Sequence, residues 1–277
     1  MIQRKIKLKR IGRQTTDGAG VKLTRVLDNN TTALFDPFLL LDSFDSTEPN
    51  DYLAGFPTHP HRGIETITYL IDGLIEHEDS LGNKDVILPG ESQWMTAGSG
   101  ILHQEMPKAA TWMLGWQLWL NMSKVEKMSE PAYLSITKAM IPTVEKSKVK
   151  IHVISGAFDN TFGIKPDHEM ATIYDIELLS EASINIPSKS DHTVFVFVIL
   201  GNCMINDDEI LTKTAVLFEE GDSITISTKV DPARVMYFEA KPLKESISWG
   251  GPIVMNTDEE LRLAFDELNK GTFIKHK

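Results

Sequence analysis

The chain has one cysteine, Cys203, in 277 residues. No intrachain disulfide can form, so the small stapled secreted scaffolds are excluded and a reducing compartment fits. Long apolar runs are also missing. The most apolar stretch, VFVFVIL from Val194 to Leu200, has a strand's length and falls short of the roughly 18–20 residues of a membrane-spanning helix. No secretory-type apolar core opens the sequence. These absences together read as a cytoplasmic protein without a membrane partner, nuclear as well if the source is eukaryotic. Cys203 itself reads as a small buried hydrophobe.

Positive charge is in short supply outside the N-terminus. The net charge is −11, yet the first 13 residues carry six basic side chains and no acid. The rest of the chain is strongly acidic and repels phosphate backbones, which argues against direct nucleic-acid binding. In the basic segment Ile6 and Leu8 alternate with lysines, the pattern of an edge strand kept soluble by charge. With 42% hydrophobic and 24% charged residues, the composition is that of a folded globular protein. Its length suits two domains.

Short aromatic or β-branched runs fill most of the chain, among them ETITYLI, SQWMTA, WMLGWQLWLNM, ATIYDIEL and RVMYFEA. Gly, Pro, Asn and Asp punctuate them at the roughly 8–12 residue spacing of sandwiches and barrels. The polar stretch from Ser123 to Lys150, with Pro131 and Pro142, reads as a linker. One helix stands out. Thr257 and Glu260 have capping-box spacing, Leu261, Ala264, Phe265 and Leu268 share a face, and Gly271 can end the helix. The two halves also echo each other. An apolar strand precedes Gly73 or Gly201, and Gly90-Glu91-Ser92 matches Gly221-Asp222-Ser223. The fold class is therefore all-β, a duplicated unit with a C-terminal helix. The expected partition is 1–130, a linker at 131–150, and 151–277 including the helix at 257–270.

Chemistry concentrates in two short segments. In FPTHPHRGIETITY, His59 and His61 are i and i+2 on a strand, so both imidazoles point to one side. Pro60 cannot donate to a ladder and places them at an edge or strand start. In MTAGSGILHQEMP, His103 and Glu105 repeat the spacing. Two antiparallel strands would bring three imidazoles and one carboxylate to one point, a donor set for a divalent Fe, Mn, Co, Ni, Cu or Zn ion. Four ligands leave octahedral positions open for chemistry. A lone strand histidine is usually packed or solvated, the expectation for His77, His152, His168 and His276. An ungapped alignment of the halves puts Pro187, Lys189, Arg234 and Met236 at the ligand positions, so the second unit is expected to lack metal and His192 is not read as a ligand.

HPHRGIET and QWMTAGSGILHQEMP resemble the pirins, a branch of the bicupin superfamily. DPFLLLDSF, GWQLWLNM, KMSEPAY and GPIVMNTDEE extend the resemblance over nearly the whole chain. It implies two cupin-type β-barrels. One metal per chain, iron first, would be held in the N-terminal barrel by His59, His61, His103 and Glu105. Glu65 would support the ligands, paired with Arg62 or orienting an imidazole; a surface ion pair is the plainer fate of Arg62. Some pirins are similar in activity to quercetin 2,3-dioxygenase, implying an enzyme acting on a flavonol-like aromatic with O₂. Glu105 would then also take the proton from the flavonol 3-hydroxyl. Trp94, Met95, Trp112 and Phe56 are candidates for the substrate slot or, equally, for barrel core. Other pirins resemble iron-binding, redox-responsive transcriptional co-regulators, implying a protein partner instead. A monomer is expected, since two barrels can cover each other's faces.

Overall fold

The computed structural model describes residues 2–276, and strands dominate it. Alternation of apolar and polar residues builds two units of the same plan, each a seven-stranded antiparallel sheet with a four-stranded one. The first unit's large sheet runs Ala132–Ile136, Ser92–Thr96, Ile64–Asp72, Met113–Asn121, Phe38–Ser46, Val21–Leu27 and Arg13–Asp17. Its small sheet runs Phe56–His61, Ile101–Pro107, Ile75–Asp79 and Lys84–Ile87. In the second unit the large sheet runs Ile6–Ile11, Thr214–Phe218, Thr193–Leu200, Ala233–Ala240, Ala171–Leu178, Val149–Ser155 and Thr143–Lys146. The small one runs Ser183–Pro187, Ser223–Ser227, Cys203–Ile205 and Asp208–Ile210. The expected all-β fold with two cupin-type barrels and a C-terminal helix is what the chain adopts.

The unit boundaries differ from the expected ones. The N-terminal strand Ile6–Ile11 is an edge strand, as its lysines predict, but it pairs with Thr214–Phe218 and so belongs to the second unit. The C-terminal helix Asp258–Lys270 belongs to the first. The expected linker at 131–150 is mostly strand: Ala132–Ile136 pairs with Ser92–Thr96, and Thr143–Lys146 pairs with Val149–Ser155. The units change over between Lys138 and Ala139. Both segments looked like linker because an edge strand leaves one side to water, and its exposed face is accordingly polar.

The internal alignment also shifts by one strand. Gly90-Glu91-Ser92 opens a strand of the large sheet, whereas Gly221-Asp222-Ser223 opens one of the small sheet. By strand order, Phe56–His61 corresponds to Ser183–Pro187, and Ile101–Pro107 to Ser223–Ser227. The positions equivalent to the candidate ligands are Asn185, Pro187, Thr225 and Ser227 rather than those of the ungapped alignment. None carries an imidazole or a carboxylate.

The helix forms as its sequence directs. Thr257 accepts from the Glu260 amide, Glu260 returns the bond to Thr257, and Gly271 closes the end at φ 70°. Ala264 is buried against Ile253, Met255 and Phe273, with Leu261 and Leu268 half-buried beside them. Phe265 lies at the margin of the stripe and stays 38% exposed. What ties this helix down is Arg62. Its side chain is 2% exposed, pairs with Glu267 at 2.8 Å, and donates to the carbonyls of Ser99 at 2.7 Å and Phe273 at 2.9 Å. The guanidinium also lies 4.1 Å from the Phe273 ring centroid. Arg62 therefore pairs with the helix and not with Glu65, and it is no surface pair.

A buried guanidinium with all three nitrogens engaged is costly to remove, because its acceptors are stranded with it. Arg62→Met is expected to destabilise the protein by about 3 kcal/mol, the lower end of the range for a broken buried pair, since Lys275 also holds Glu267 at 2.7 Å. Urea denaturation checks this, and an unchanged midpoint would contradict it.

Candidate metal centre

The small sheet of the first unit sets the geometry. Phe56–His61 and Ile101–Pro107 pair antiparallel with His103 opposite His59 and Ile101 opposite His61. Opposite residues share a face and so do i and i+2 residues, so this register puts His59, His61 and His103 on one side of the sheet. Their ring centroids lie 4.8 Å (59–61), 4.4 Å (59–103) and 5.0 Å (61–103) apart. A candidate ligand atom from each falls within 4.8 Å of the other two. His61 and His103 are 1% exposed, while His59 is half-buried and marks the open side.

Gly63 and Lys127 fix the turn that follows His61. Gly63 has φ +76°, and a Cβ there would meet the Val254 carbonyl oxygen at 2.1 Å, so only glycine fits. The buried Lys127 ammonium donates to the carbonyls of Gly63 and Val254 and to Asn121 Oδ1, at 2.6–3.0 Å. Three oxygens in a water-poor site satisfy its three donors.

The nitrogens fit a cation. His59 Nδ1 lies 2.9 Å from the Pro57 carbonyl oxygen and His61 Nδ1 2.9 Å from that of Pro252. A carbonyl only accepts, so both Nδ1 atoms carry the proton and both Nε2 atoms present lone pairs. Those two Nε2 atoms face each other at 3.1 Å, a repulsive contact that a shared cation relieves. His103 is buried with neither ring nitrogen hydrogen-bonded. An unsatisfied buried nitrogen costs about 1–3 kcal/mol, which a metal bond offsets. Burial, then the neighbouring imidazoles, pushes His61 down to about 3 and His103 well below its usual range. Both are neutral at physiological pH, the form that binds metal.

Glu105 sits differently from the expectation. Ile101–Pro107 pairs in unbroken register with Ile75–Asp79, so Glu105 keeps the face of His103. The extra residue of the bulge lies on Phe56–His61, Phe56 stands opposite Glu105, and the carboxylate falls outside the three-histidine cluster. It is 2% exposed and accepts from Thr68 Oγ1 at 3.0 Å, Gln93 Nε2 at 2.5 Å and Gln117 Nε2 at 2.5 Å. Glu65 accepts from Thr96 Oγ1 at 2.8 Å. The structure thus gathers three of the four expected ligands and holds the fourth in an amide network beside them.

That network was missed in the sequence, although glutamine inside the apolar runs SQWMTA and GWQLWLNM is its signal: a buried amide needs a partner. The four residues offered as slot or barrel core divide, and the rings beside the histidines are others. Trp119 packs edge-on to His61 at 4.9 Å, and Trp249 lies 5.8 Å from Trp119. Met95 packs in the cluster that includes Trp119, Trp249 and Tyr133, but Phe56 joins Phe44 in another cluster. Trp112 donates to Asp45 at the surface. Trp94 is buried and takes no part in that wall. His77 is packed, as expected, but close to the site. Its ring is 5.4 Å from His103, stacks on Tyr133 at 4.3 Å, and bonds Asp79 at 3.0 Å. Burial works against the Asp79 charge, yet bonds from His77 and Asn83 hold its carboxyl below the ordinary value.

Comparison with known proteins places these residues in context. The chain matches the Pirin family over residues 20–120 and the Pirin C-terminal cupin domain over residues 173–274. A pirin-like protein of Caulobacter vibrioides is 40% identical over 95% of this chain and 96% of its own. Among solved structures, a quercetin 2,3-dioxygenase from Acinetobacter baumannii superposes with a TM-score of 0.90 at 28% identity, covering 98% of both chains. The bacterial pirin YhhW from Escherichia coli, in complex with nickel(II), gives a TM-score of 0.65 at 24% identity over 85% of this chain and 99% of its own, a likeness of fold.

The donor geometry makes a direct prediction. Protein loaded with Ni²⁺ or Fe²⁺ and desalted is expected to retain one metal per chain. His61→Ala and His103→Ala are each expected to fall below about a tenth of that, since losing one of three imidazoles removes a principal bond. Elemental analysis reads the result, and a full equivalent in His103→Ala would contradict the site.

Proposed function

The chain belongs to the pirin family, and from that premise we propose that it is a metal-dependent dioxygenase of the quercetin 2,3-dioxygenase type, opening a flavonol-like aromatic with O₂. The observation that carries this reading is the cluster of three imidazoles with Glu105 anchored beside it and an indole wall next to His61. The likeness to the Acinetobacter enzyme supports it. Iron is the proposed resident metal, one per chain. Imidazole nitrogens also bind the other first-row ions, several of them more tightly than iron, so availability decides. The second unit is proposed to be without metal, its equivalent positions being Asn185, Pro187, Thr225 and Ser227. The protein is proposed to act as a cytoplasmic monomer.

When bound, the metal supplies a Lewis acid that stabilises the deprotonated substrate oxygen. The protein's own residues do the rest. His59, His61 and His103 would hold the ion, and the half-buried His59 would give a substrate access from the solvent side. Trp119 and Trp249 present flat apolar surface to a planar ring. Glu105 takes the proton of the substrate hydroxyl. Thr68, Gln93 and Gln117 fix its orientation, and either glutamine amide can turn its oxygen toward the new hydroxyl. Glu105 is also proposed as the fourth ligand, which requires one amide to release it.

The test is oxygen uptake by the iron-loaded protein with quercetin under air. Turnover is expected, with kcat falling 10²–10⁴-fold in Glu105→Gln, the usual range for removing a general base. No turnover with any flavonol, together with protein-partner binding that follows the iron's oxidation state, would overturn the reading in favour of a co-regulator. Activity without O₂ consumption would overturn it in favour of Lewis-acid chemistry of another kind.

A further inference from the structure

The second unit has an open cavity of about 560 Å³, within the roughly 300–1,000 Å³ of small-molecule sites. Its place in the fold is informative. Pro187 lines it and ends the strand that corresponds to the one carrying His59 and His61. Glu239 lines it and belongs to Ala233–Ala240, the counterpart of the strand carrying Trp119. The cavity therefore borders two strands of the second barrel whose counterparts flank the candidate metal centre in the first.

One wall is built around buried charge. Arg4 is 1% exposed and donates to Ser188 Oγ at 2.8 Å, to the Lys189 carbonyl at 2.5 Å and to the Glu219 carbonyl at 2.7 Å, which pins the Ser188–His192 segment. Glu239 is 6% exposed. It accepts from the Lys189 amide and the Tyr237 hydroxyl, each at 2.8 Å, and His192 Nδ1 lies 3.1 Å from its Oε1. The carboxylate is thus spent on holding the wall. Burial keeps His192 below its usual range, so the ring adds no charge near neutral pH.

The remaining charged side chains of the lining are Lys165 and Lys189, both exposed at the rim and without an ion-pair partner among the described residues. Asp167, Glu169 and Asp191 lie on the same loops but do not line the cavity. In a chain of net charge −11, the lining carries two cations against one engaged carboxylate. The same lining holds apolar surface, with Phe162 left 72% and Met170 54% exposed. Large side chains held open to water at a cavity mouth mark a ligand surface.

We propose that this second-barrel cavity is a binding site for an amphipathic organic anion, its apolar body against Phe162, Ile164 and Met170 and its acidic group between Lys165 and Lys189. The site is separate from the three-histidine centre and does not depend on the dioxygenase reading. Short-range contact with the lysines overcomes the repulsion of the acidic body only for a ligand whose apolar part also fits.

The test uses the nickel-loaded full chain and two fluorescent probes of similar shape, anionic 8-anilinonaphthalene-1-sulfonate and uncharged N-phenyl-1-naphthylamine. The anionic dye is expected to bind one per chain in the second unit. The double substitution Lys165→Glu and Lys189→Glu, on exposed residues that leave the fold intact, is expected to weaken it at least tenfold and to leave the neutral dye unaffected. Thr172→Trp, which fills the cavity, is expected to weaken both. His103→Ala is expected to weaken neither. Equal binding of the anion by the charge-reversed protein, or its loss in His103→Ala, would overturn the proposal.

Discussion

The register that sets His103 opposite His59 is the constraint on which the rest of the first unit depends. Antiparallel pairing converts two i, i+2 pairs, far apart in sequence, into three imidazoles on one face. A slip of one residue would send His103 to the other side of the sheet. The structure accepts a penalty to keep this arrangement. Two Nε2 lone pairs face each other, and a fully buried imidazole has no hydrogen-bond partner. Natural cores avoid such groups unless something binds them, so the local cost is itself evidence of a cation site.

The surroundings hold the register in place. Gly63 permits the turn after His61, and Lys127 draws together the carbonyls of Gly63 and Val254. Pro252, two residues before Val254, supplies the carbonyl that orients His61. Arg62 binds the C-terminal helix through Glu267 and Phe273. Each contact joins the histidine segment to residues near the end of the chain. The C-terminal region thus supports the first barrel, although it follows the second in sequence.

Much of this could be read from the sequence, and the failures share a cause. The ligand histidines, the capping box and the lysine-guarded edge strand are local patterns, and local spacing fixes them. The exchange of terminal segments between the units depends on long-range pairing that no short pattern encodes. Edge strands at Ala132–Ile136 and Thr143–Lys146 resembled a linker because their outer faces are polar. The internal repeat was recognised but matched one strand out of step, since similar Gly-acid-Ser turns open different strands. Also invisible was the set of partners that takes up the Glu105 carboxylate, Thr68, Gln93 and Gln117, which come from three strands of the other sheet. The i, i+2 rule set the face of Glu105 correctly but could not show which side chains would meet it there.

The second unit shows what the same barrel becomes without the imidazoles. Its core buries Val196, Val216 and Tyr237 fully, and a cavity remains beside the strand that corresponds to the one carrying His59 and His61. The central claim, that a cation binds between His59, His61 and His103, is tested most directly by anomalous diffraction at the metal's absorption edge from crystals of the metal-loaded chain. The account predicts one peak per chain, at the bond length of about 2.0–2.1 Å typical of a metal–imidazole contact, from all three rings. A peak elsewhere in the chain, or none at these rings, would contradict it.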